Sequence, residues 1–395
     1  MDKKPEKLVP EVRFKGFTDD WEQHKLEEMA EIVRGASPRP IKDKKWFDSN
    51  STIGWIRISD VTAQNGRIYH LSQHISKLGQ QKTRVVIQPH LLLSIAASVG
   101  YPVINYIPTG VHDGFLIFNN PKFNINYMFY WLRKYQTNWK KYGQPGSQVN
   151  LNSSIVSNTK VRLPSLDEQA TISNIFYQID KILSVQQRKL EILIKLKRSV
   201  LTKSMVNSLD KNPELYFNSA SVKWLKQKLS DLTIKEFKGN TKLNDTKPGK
   251  TEYLDAERLN GNVPLFIDKP INTLKSDILI LWDGSKAGSV YYGFEGSLGS
   301  TLKAIRLNPK LVNSFFVYQQ LKSKQDVIFN KYRTPNIPHV IKNFTKVYPI
   351  YFPSMAVQNK IARFLGNLDT LIEIQQKSIK DHKVIKKYLL QKLFI

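Results

Sequence analysis

The chain has 395 residues, of which 60 are Lys or Arg and 33 are Asp or Glu, so its net charge is +27 and its pI is near 9.8. This length is enough for two or three domains, and the hydrophobic content of 41% permits proper cores. The absence of cysteine excludes disulfides, thiolate metal sites and cysteine nucleophiles. The charge predicts a polyanionic partner, most often nucleic acid, with an anionic membrane surface as the weaker alternative.

The first 20 residues predict a short polar arm. No apolar signal region follows the starting Met-Asp-Lys-Lys-Pro-Glu. The sequence also contains no run of about 18 apolar residues, the length that a membrane span needs. We therefore expect a cytoplasmic protein without a membrane span.

Residues 21–162 predict a first α+β domain, opened by Trp21 in the pattern Trp-Glu-Gln-His-Lys-Leu. Alternating or continuous apolar runs between turn residues are typical of strands. We predict, in chain order, a basic glycine-bearing loop, two strands, an aromatic-rich helix and a second basic loop at 34–40, 55–58, 91–95, 127–132 and 140–148. About 140 residues is the usual size of one domain.

Residues 163–206 predict a long helix, because apolar residues recur at steps of three and four. They are Ile172, Ile175, Ile179, Ile182, Leu193, Leu196 and Val200. Pro164 lies just before the helix, where a missing N–H costs nothing, and Asp167 and Glu168 favour its first turn. Gln186 interrupts the stripe, as a register-fixing polar residue does in a coiled coil. About 38 residues at 1.5 Å each give a rod of roughly 55–60 Å.

A polar linker, residues 207–222, leads to a second predicted α+β domain at 223–351. It repeats the opening pattern from Trp224 to Leu229. A basic loop, a strand with a glycine loop, an aromatic helix and a closing basic loop follow at 237–242, 277–288, 315–321 and 331–336. The two domains therefore read as diverged copies of one another.

Residues 352–395 repeat the first long helix when the sequence is shifted by 189 positions, without a gap. Matching residues include Pro164 and Pro353, Gln169 and Gln358, Asp180 and Asp369, Gln186 and Gln375, and Lys197 and Lys386. We predict that the two helices pack as an antiparallel coiled coil, with the domains at opposite ends. The alternative is two amphipathic helices lying on two separate domains.

The chain shows no motif for catalysis. Its seven His have no metal-binding spacing, and no Gly-rich cofactor loop follows a first strand. Residues 247–251 resemble the end of a phosphate-binding loop, but Asn244 replaces the first glycine. The Asn/Asp-Pro-Pro-aromatic stretch of a base methyltransferase is missing. We therefore predict no catalytic residue, no cofactor and no metal on this chain; an enzyme with chemistry and recognition on one chain is the competing hypothesis.

The basic loops suit DNA, because Lys and Arg neutralise phosphates while Arg, Gln and Asn can bind base edges. Loop position and donor chemistry select the candidate DNA-contacting residues. They are Arg34, Ser37, Arg39, Ser98, Tyr101, Lys141, Gln144 and Gln148 in the first domain, and Lys238, Asn240, Lys242, Ser285, Lys286, Arg333 and Thr334 in the second.

This arrangement resembles the specificity subunit of type I restriction–modification enzymes over essentially the whole chain. The resemblance lies in Leu163-Pro-Ser-Leu-Asp-Glu-Gln169 with Asp180, in its copy from Phe352 to Gln358, in the Trp-to-Leu openings, and in the loops at 94–100, 143–147 and 283–288. The second copy departs from the Glu-Gln ending of this motif, because it has Val357 where Glu is expected.

The resemblance implies two target recognition domains, each of which reads half of a bipartite DNA site, and a coiled coil that sets the gap. It implies a non-catalytic chain that carries two modification subunits, which bring S-adenosylmethionine and methylate adenine. Restriction subunits with ATP and Mg complete the implied complex. The alternative is a basic coiled-coil scaffold, or a nucleic-acid-binding protein outside restriction whose charge serves RNA or a membrane.

Overall fold

The computed structural model describes residues 9–95, 99–142, 151–206, 213–216, 223–334 and 338–395. The chain divides into two compact units, Met1–Gln186 with Ser378–Ile395, and Gln187–Lys377. Each unit therefore contains an α+β domain and part of both long helices. Within the described ranges, no helix is long and apolar enough to cross a membrane.

Within the part of the chain that the structure describes, ten strands and six helices begin in the first unit, and the last of these helices continues into the second unit. The strands are β1 (Glu22–Lys25), β2 (Glu31–Arg34), β3 (Gly54–Trp55), β4 (Arg67–Ile68), β5 (Arg84–Val86), β6 (Leu91–Ser94), β7 (Pro102–Asn105), β8 (Thr109–Val111), β9 (Phe115–Asn119) and β10 (Lys160–Leu163). The helices are α1 (Leu26–Met29), α2 (Ile58–Ala63), α3 (Lys77–Gln80), α4 (Ile125–Tyr135), α5 (Ser153–Ser157) and α6 (Leu166–Ser204), with 3-10 turns at Lys44–Trp46 and Gln136–Tyr142.

The described strands of the first domain form three sheets. The largest has the order β2-β9-β6-β7-β4, a second has the order β3-β8-β5, and β1 pairs with β10. All four residues of β6 and of β7 are buried, so these strands lie in the middle of the core. The β1–β10 pair is antiparallel and places Glu22 opposite Leu163, so the opening of the domain lies beside the start of α6.

One predicted strand is wrong in most of its length. Residues 55–58 were expected to be extended, but β3 ends at Trp55 and a helix begins at Ile58. The side chain of Asp60 accepts hydrogen bonds from the backbone N–H of Arg57 at 3.0 Å and from its guanidinium. This cap starts a helical turn and thereby ends the extended segment. The predicted strand at 91–95 and the helix at 127–132 are confirmed as β6 and α4.

Among the described residues of the second unit, nine strands and five helices begin. The strands are β11 (Leu225–Lys228), β12 (Thr233–Lys238), β13 (Pro248–Leu254), β14 (Phe266–Ile267), β15 (Ile278–Leu281), β16 (Val290–Tyr291), β17 (Ser297–Leu298), β18 (Leu302–Leu307) and β19 (Pro349–Phe352). The helices are α7 (Ala256–Leu259), α8 (Ser314–Ser323), α9 (Gln325–Lys331), α10 (Phe344–Val347) and α11 (Met355–Lys392), with 3-10 turns at Leu229–Leu232 and Leu243–Asp245.

The second domain follows the plan of the first. Its sheets have the orders β12-β18-β15-β16 and β14-β13-β17, and β11 pairs with β19. Thus β11–β19 corresponds to β1–β10, β12–β18 to β2–β9, and α8 to α4. The predicted strand at 277–282 and the helix at 315–321 are confirmed as β15 and α8.

A buried glutamine joins each long helix to the aromatic-rich helix of its own unit. The side-chain carbonyl of Gln169 accepts from the backbone N–H of Asn124, the N-cap of α4, at 2.9 Å, and its amide donates to Pro164 O at 2.8 Å. Gln358 accepts from the N–H of Asn313, the N-cap of α8, at 2.8 Å. The repeated Gln therefore anchors the first turn of each long helix to its domain.

The long helices pair in opposite directions within the first unit. Lys386 of α11 forms an ion pair with Asp180 of α6. Further along α6, the amide of Gln186 donates to the hydroxyl of Ser378 at 2.9 Å. Residue numbers rise along α6 while they fall along α11, so the helices are antiparallel, as predicted.

The second unit contains the same ion pair with the helices exchanged. Lys197 of α6 contacts Asp369 of α11. Asp369 is the repeat partner of Asp180, and Lys197 is the repeat partner of Lys386. The sequence repeat is therefore a repeat of contacts: each helix supplies the acid in one unit and the lysine in the other.

The predicted apolar stripe is only partly buried. Ile172 and Ile361 are 1% exposed, because they pack in the cores of their own units. Farther along the helices, Ile182 is 43% exposed and Leu371 is 46% exposed, and Leu196 and Ile385 are likewise open. A single partner helix covers one side of a rod, so part of a wide apolar stripe remains uncovered.

The polar arm is bound through an ion pair that explains the altered second motif. The guanidinium of Arg13 donates from Nε and Nη2 to the carboxylate of Glu168, both at 2.8 Å, and Glu168 is 1% exposed. The repeat places a buried Val357 at the position of Glu168. Counted back from the opening tryptophan, Tyr216 stands at the position of Arg13. Both charged members are thus replaced together, which avoids a buried unpaired carboxylate.

Candidate nucleic-acid interface

The first basic loop leaves the sheet at Gly35. The backbone N–H of Gly35 donates to Phe115 O at 2.8 Å, which holds the end of β2 against the turn between β8 and β9. A Cβ at Gly35 would lie 2.2 Å from His112 O, so only glycine fits this close approach. The loop that follows Gly35 is therefore fixed beside the turn between β8 and β9.

Asp113 lies in the turn between β8 and β9 and accepts hydrogen bonds from three of the predicted residues. Arg34 Nε donates to the backbone carbonyl of Asp113 at 2.6 Å. Ser37 Oγ donates to Asp113 Oδ1 at 2.9 Å, and Arg39 Nη2 donates to Oδ2 at 2.6 Å. His112 Nδ1 lies 3.0 Å from Oδ1. The sequence placed the three donors on one loop, and the structure adds the acid that orders them.

The surroundings of this cluster hold the pKa of Asp113 and the pKa of His112 below their usual values. Burial acts to raise the pKa of Asp113, but the Ser37 hydroxyl and the neighbouring His112, Arg39 and Arg34 together hold that pKa below its usual value. Burial lowers the pKa of His112 in spite of the Asp113 charge. The side chain of Arg39 remains 72% exposed. The cluster thus presents an anchored guanidinium to solvent.

An open cavity of about 760 Å³ lies beside the cluster, with His112 as a shared wall. Cationic and aromatic side chains from three other segments line it, among them Lys42, Lys44, Phe47, Trp55, Arg57 and His74. The sequence analysis missed these residues, although the Lys-rich run at 42–45 is a basic signal. Arg84 was missed as well; its Nε donates to the backbone carbonyl of Arg34 at 2.8 Å.

The remaining candidates of the first domain lie elsewhere or outside the described residues. Tyr101 is half-buried, and the guanidinium of Arg133 lies 4.5 Å from its ring centroid, so its ring packs against α4. Lys141 lies in the 3-10 turn Gln136–Tyr142, and its Nζ is 6.0 Å from the centroid of the Tyr135 ring. Ser98, Gln144 and Gln148 lie outside the described residues.

The second basic loop leaves its sheet in the same way. Lys238 ends β12, and the N–H of Gly239 donates to Leu302 O at 2.9 Å, just after the turn between β17 and β18. A Cβ at Gly239 would lie 2.1 Å from Gly299 O. The strand–glycine–loop junction is therefore the same in both domains. In the turn between β17 and β18, Ser300 occupies the position that corresponds to Asp113 of the first domain.

Three loops of the second domain come together around the loop that contains Asp283. Lys238 Nζ contacts Asp283 Oδ2 at 2.6 Å. The adjacent Ser285 accepts from Arg333 Nη1 at 3.1 Å through its backbone carbonyl. Thr334 Oγ1 lies 2.9 Å from His339 Nδ1. The structure thus brings four predicted residues from sequence-distant loops into one region.

The other candidates of the second domain are exposed. Asn240 and Lys242 follow the Gly239 junction, and Lys286 lies in the Asp283 loop. A further cation that the sequence analysis missed is Lys303, whose Nζ stands 3.9 Å from the Trp282 ring centroid. The role of all these side chains in binding DNA stays a prediction.

A sequence model described as the type I restriction modification DNA specificity domain matches the chain twice, at residues 18–195 and 221–381. The chain belongs to this family. It is a specificity subunit in which the DNA specificity domain occurs twice, as the internal repeat predicted.

Two curated relatives come from Methanocaldococcus jannaschii. The type I restriction enzyme MjaVIII specificity subunit is 32% identical over 165 residues, which cover 41% of this chain and 39% of the relative. The chain thus matches about two fifths of that relative's length. The putative MjaX specificity subunit is 24% identical over 411 aligned residues, which cover 95% of this chain and 93% of the relative.

Two solved structures share the fold. The crystal structure of a type I restriction–modification S subunit from M. genitalium has a TM-score of 0.69 and 16% identity, and the match covers 98% of this chain and 99% of that one. A chain from a study of complex assembly and conformational transition of the type I system has a TM-score of 0.53 at 15% identity, with 96% and 98% covered. The predicted fold class is thereby confirmed.

Proposed function

We propose that this specificity subunit reads a bipartite duplex site, one half with the domain at 21–162 and the other with the domain at 223–351. The observation that carries the proposal is the repeated junction of strand, glycine and basic loop. This junction consists of Arg34–Gly35 in the first domain and Lys238–Gly239 in the second, and in each domain it packs against a turn between two strands. The neighbouring side chains differ, as two unlike half-sites require.

Affinity in this proposal comes largely from phosphate contacts. The net charge of +27 supports binding to a polyanion, and each neutralised phosphate releases counterions. Exposed cations such as Lys242 and Lys286 suit that role. Base discrimination falls to the groups whose position is fixed, because a donor must meet a base edge with defined geometry.

We infer further that catalysis belongs to partner subunits and that this chain is not an enzyme. Two modification subunits would bring S-adenosylmethionine and methylate adenine, and restriction subunits would bring ATP and Mg. The support is a pair of exposed apolar patches at equivalent positions of the long helices. Ile182 and Val185 are 43% and 63% exposed on α6, and Leu371 and Ile374 are 46% and 59% exposed on α11. Repeated patches suit two identical partners.

A domain exchange tests the proposal. Residues 21–162 are replaced by the corresponding domain of another specificity subunit, and adenine methylation is mapped in cells that contain the modification partner. We expect one half of the methylated motif to change and the other half to stay. The reciprocal exchange of 223–351 is the matched control and should change only the other half. A change of both halves in either chimera would refute independent recognition by the two domains.

A further inference from the structure

The turn between β8 and β9, which contains Asp113, differs from the corresponding turn of the second domain. In the first domain the Asp113 carboxylate accepts from Ser37 and Arg39, and its backbone carbonyl accepts from Arg34. In the second domain the corresponding turn carries Ser300, and Lys238 contacts an acid on a different loop, Asp283. The carboxylate that holds the first basic loop against the turn is therefore a feature of the first domain.

From this geometry we infer that Asp113 is the positioning residue of the first half-site. Resting on the proposed function above, the inference assigns to Asp113 the task of holding the loop at 34–40 in one conformation, so that Arg39 and Ser37 meet the DNA at fixed places. Asp113 is a carboxylate on a surface proposed to bind a polyanion, so its own charge opposes binding. The presence of this carboxylate is explained by the two side chains that it holds, Ser37 and Arg39.

Fixed donors matter for discrimination rather than for affinity. A guanidinium on a loose loop still finds a phosphate, since phosphates occur along the whole duplex. A bidentate contact to a base edge requires the donor at a defined position, and it distinguishes one base pair from another. Loss of Asp113 should therefore reduce recognition of the first half-site while binding to unrelated DNA persists or increases.

The test uses the full chain in complex with its modification partner and duplexes chosen from the mapped methylation motif. Three duplexes are compared: the intact target, one altered in the first half-site and one altered in the second. For Asp113→Asn we expect the preference for the intact target over the first-half variant to fall about tenfold, the size of one good base contact. The preference over the second-half variant should not change.

Asp48→Asn is the matched control. Asp48 is exposed, lies in the same domain and lines the cavity beside the Asp113 cluster, and its carboxylate accepts from Asn50 N at 2.9 Å. Both substitutions remove one negative charge, so they should raise affinity for unrelated DNA similarly. If both variants raise affinity for all three duplexes by one factor and keep the discrimination, Asp113 acts only through its charge and the inference is wrong.

Ser37→Ala gives a second variant that changes no charge and that still tests the contact if Asp113→Asn fails to fold. We expect it to lower first-half discrimination, and we expect the double variant to resemble Asp113→Asn alone, because both side chains act through one contact. Additive losses would mean that Ser37 meets DNA independently of Asp113. If the wild-type complex prefers no duplex, the proposed function itself fails; if wild type discriminates and Asp113→Asn does so equally, only the positioning role fails.

Discussion

Individual residues of the repeat are explained by pairs of contacts. Gln169 and Gln358 match in sequence, and each accepts a hydrogen bond from the N-cap residue of the aromatic helix in its own unit. Asp180 and Asp369 match, and each meets a lysine of the other long helix. Where Glu168 becomes Val357, its arginine partner is replaced as well. Side chains with paired roles thus account for the positions that stay alike.

Replacing Gln169 by Ala should destabilise the first unit, because the buried N–H of Asn124 loses its acceptor. An unsatisfied buried group costs about 1–3 kcal/mol. The measurement is chemical unfolding followed by a probe in the first unit, and Gln358→Ala should have the same effect on the second. Gln178→Ala is the control: its side chain is exposed and bonds Asn174 at 3.4 Å, so the change should stay within about 0.5 kcal/mol. Equal effects of Gln169→Ala and Gln178→Ala would contradict the anchoring role.

At this scale the sequence revealed the donors but not their partners. The basic loop identified Arg34, Ser37 and Arg39, because loop position and chemistry are local properties. Asp113 lies 74 positions beyond Arg39 and meets it only after β9 pairs with β2. A lone Asp between two strands has no local signal, so sequence reasoning had no ground for selecting it. The cavity was missed for the same reason, since its walls come from distant segments.

The long helices were the best predicted elements. Their length, direction and pairing follow from a stripe with a period of three to four residues and from the shift of 189 positions. The burial of the stripe was predicted less well, since Leu196 and Ile385 are open. Helical period shows which residues share a face, but it does not show how much of that face one partner covers. The short strand at 55–58 failed because a cap at Asp60 outweighed its apolar pattern.

If the two long helices set the gap between the half-sites, as the resemblance implies, then lengthening both helices together will lengthen that gap. Seven residues of helical sequence are inserted after Gln186 in α6 and after Lys377 in α11. The Gln186–Ser378 contact and the Lys197–Asp369 pair then keep their own neighbours. Seven residues add about 10 Å, on the order of three base pairs of duplex.

Mapping adenine methylation tests this prediction. The motif should keep both half-site sequences and gain a longer gap. A control chain with seven residues inserted only in the 207–222 linker should keep the original gap. If the chain with insertions in both α6 and α11 still gave the original gap, the helices would not set the distance between the half-sites.

At the scale of the whole molecule, the two repeats present two equivalent apolar patches on the helices. Val185→Asp and Ile374→Asp each place a charge in one patch, at positions that are 63% and 59% exposed. Each single variant should bind one modification subunit instead of two, and the double variant none, because a buried unpaired charge opposes association. Mass measurement of the complex by light scattering gives the count.

Ile87→Asp is the control for those variants. Ile87 is 68% exposed in the first domain and lies on neither long helix, so the same substitution there should leave two bound subunits. If the double variant Val185→Asp, Ile374→Asp also bound two modification subunits, the partner site would lie elsewhere on the chain.

The central claim is that this chain alone decides which DNA sequence is methylated. The most direct test maps N6-methyladenine across the genome in cells that contain the chain and its modification partner, and in cells that lack only this chain. The account predicts a split motif with a fixed gap that is present in the first cells and absent from the second. An identical methylation pattern in both would contradict it.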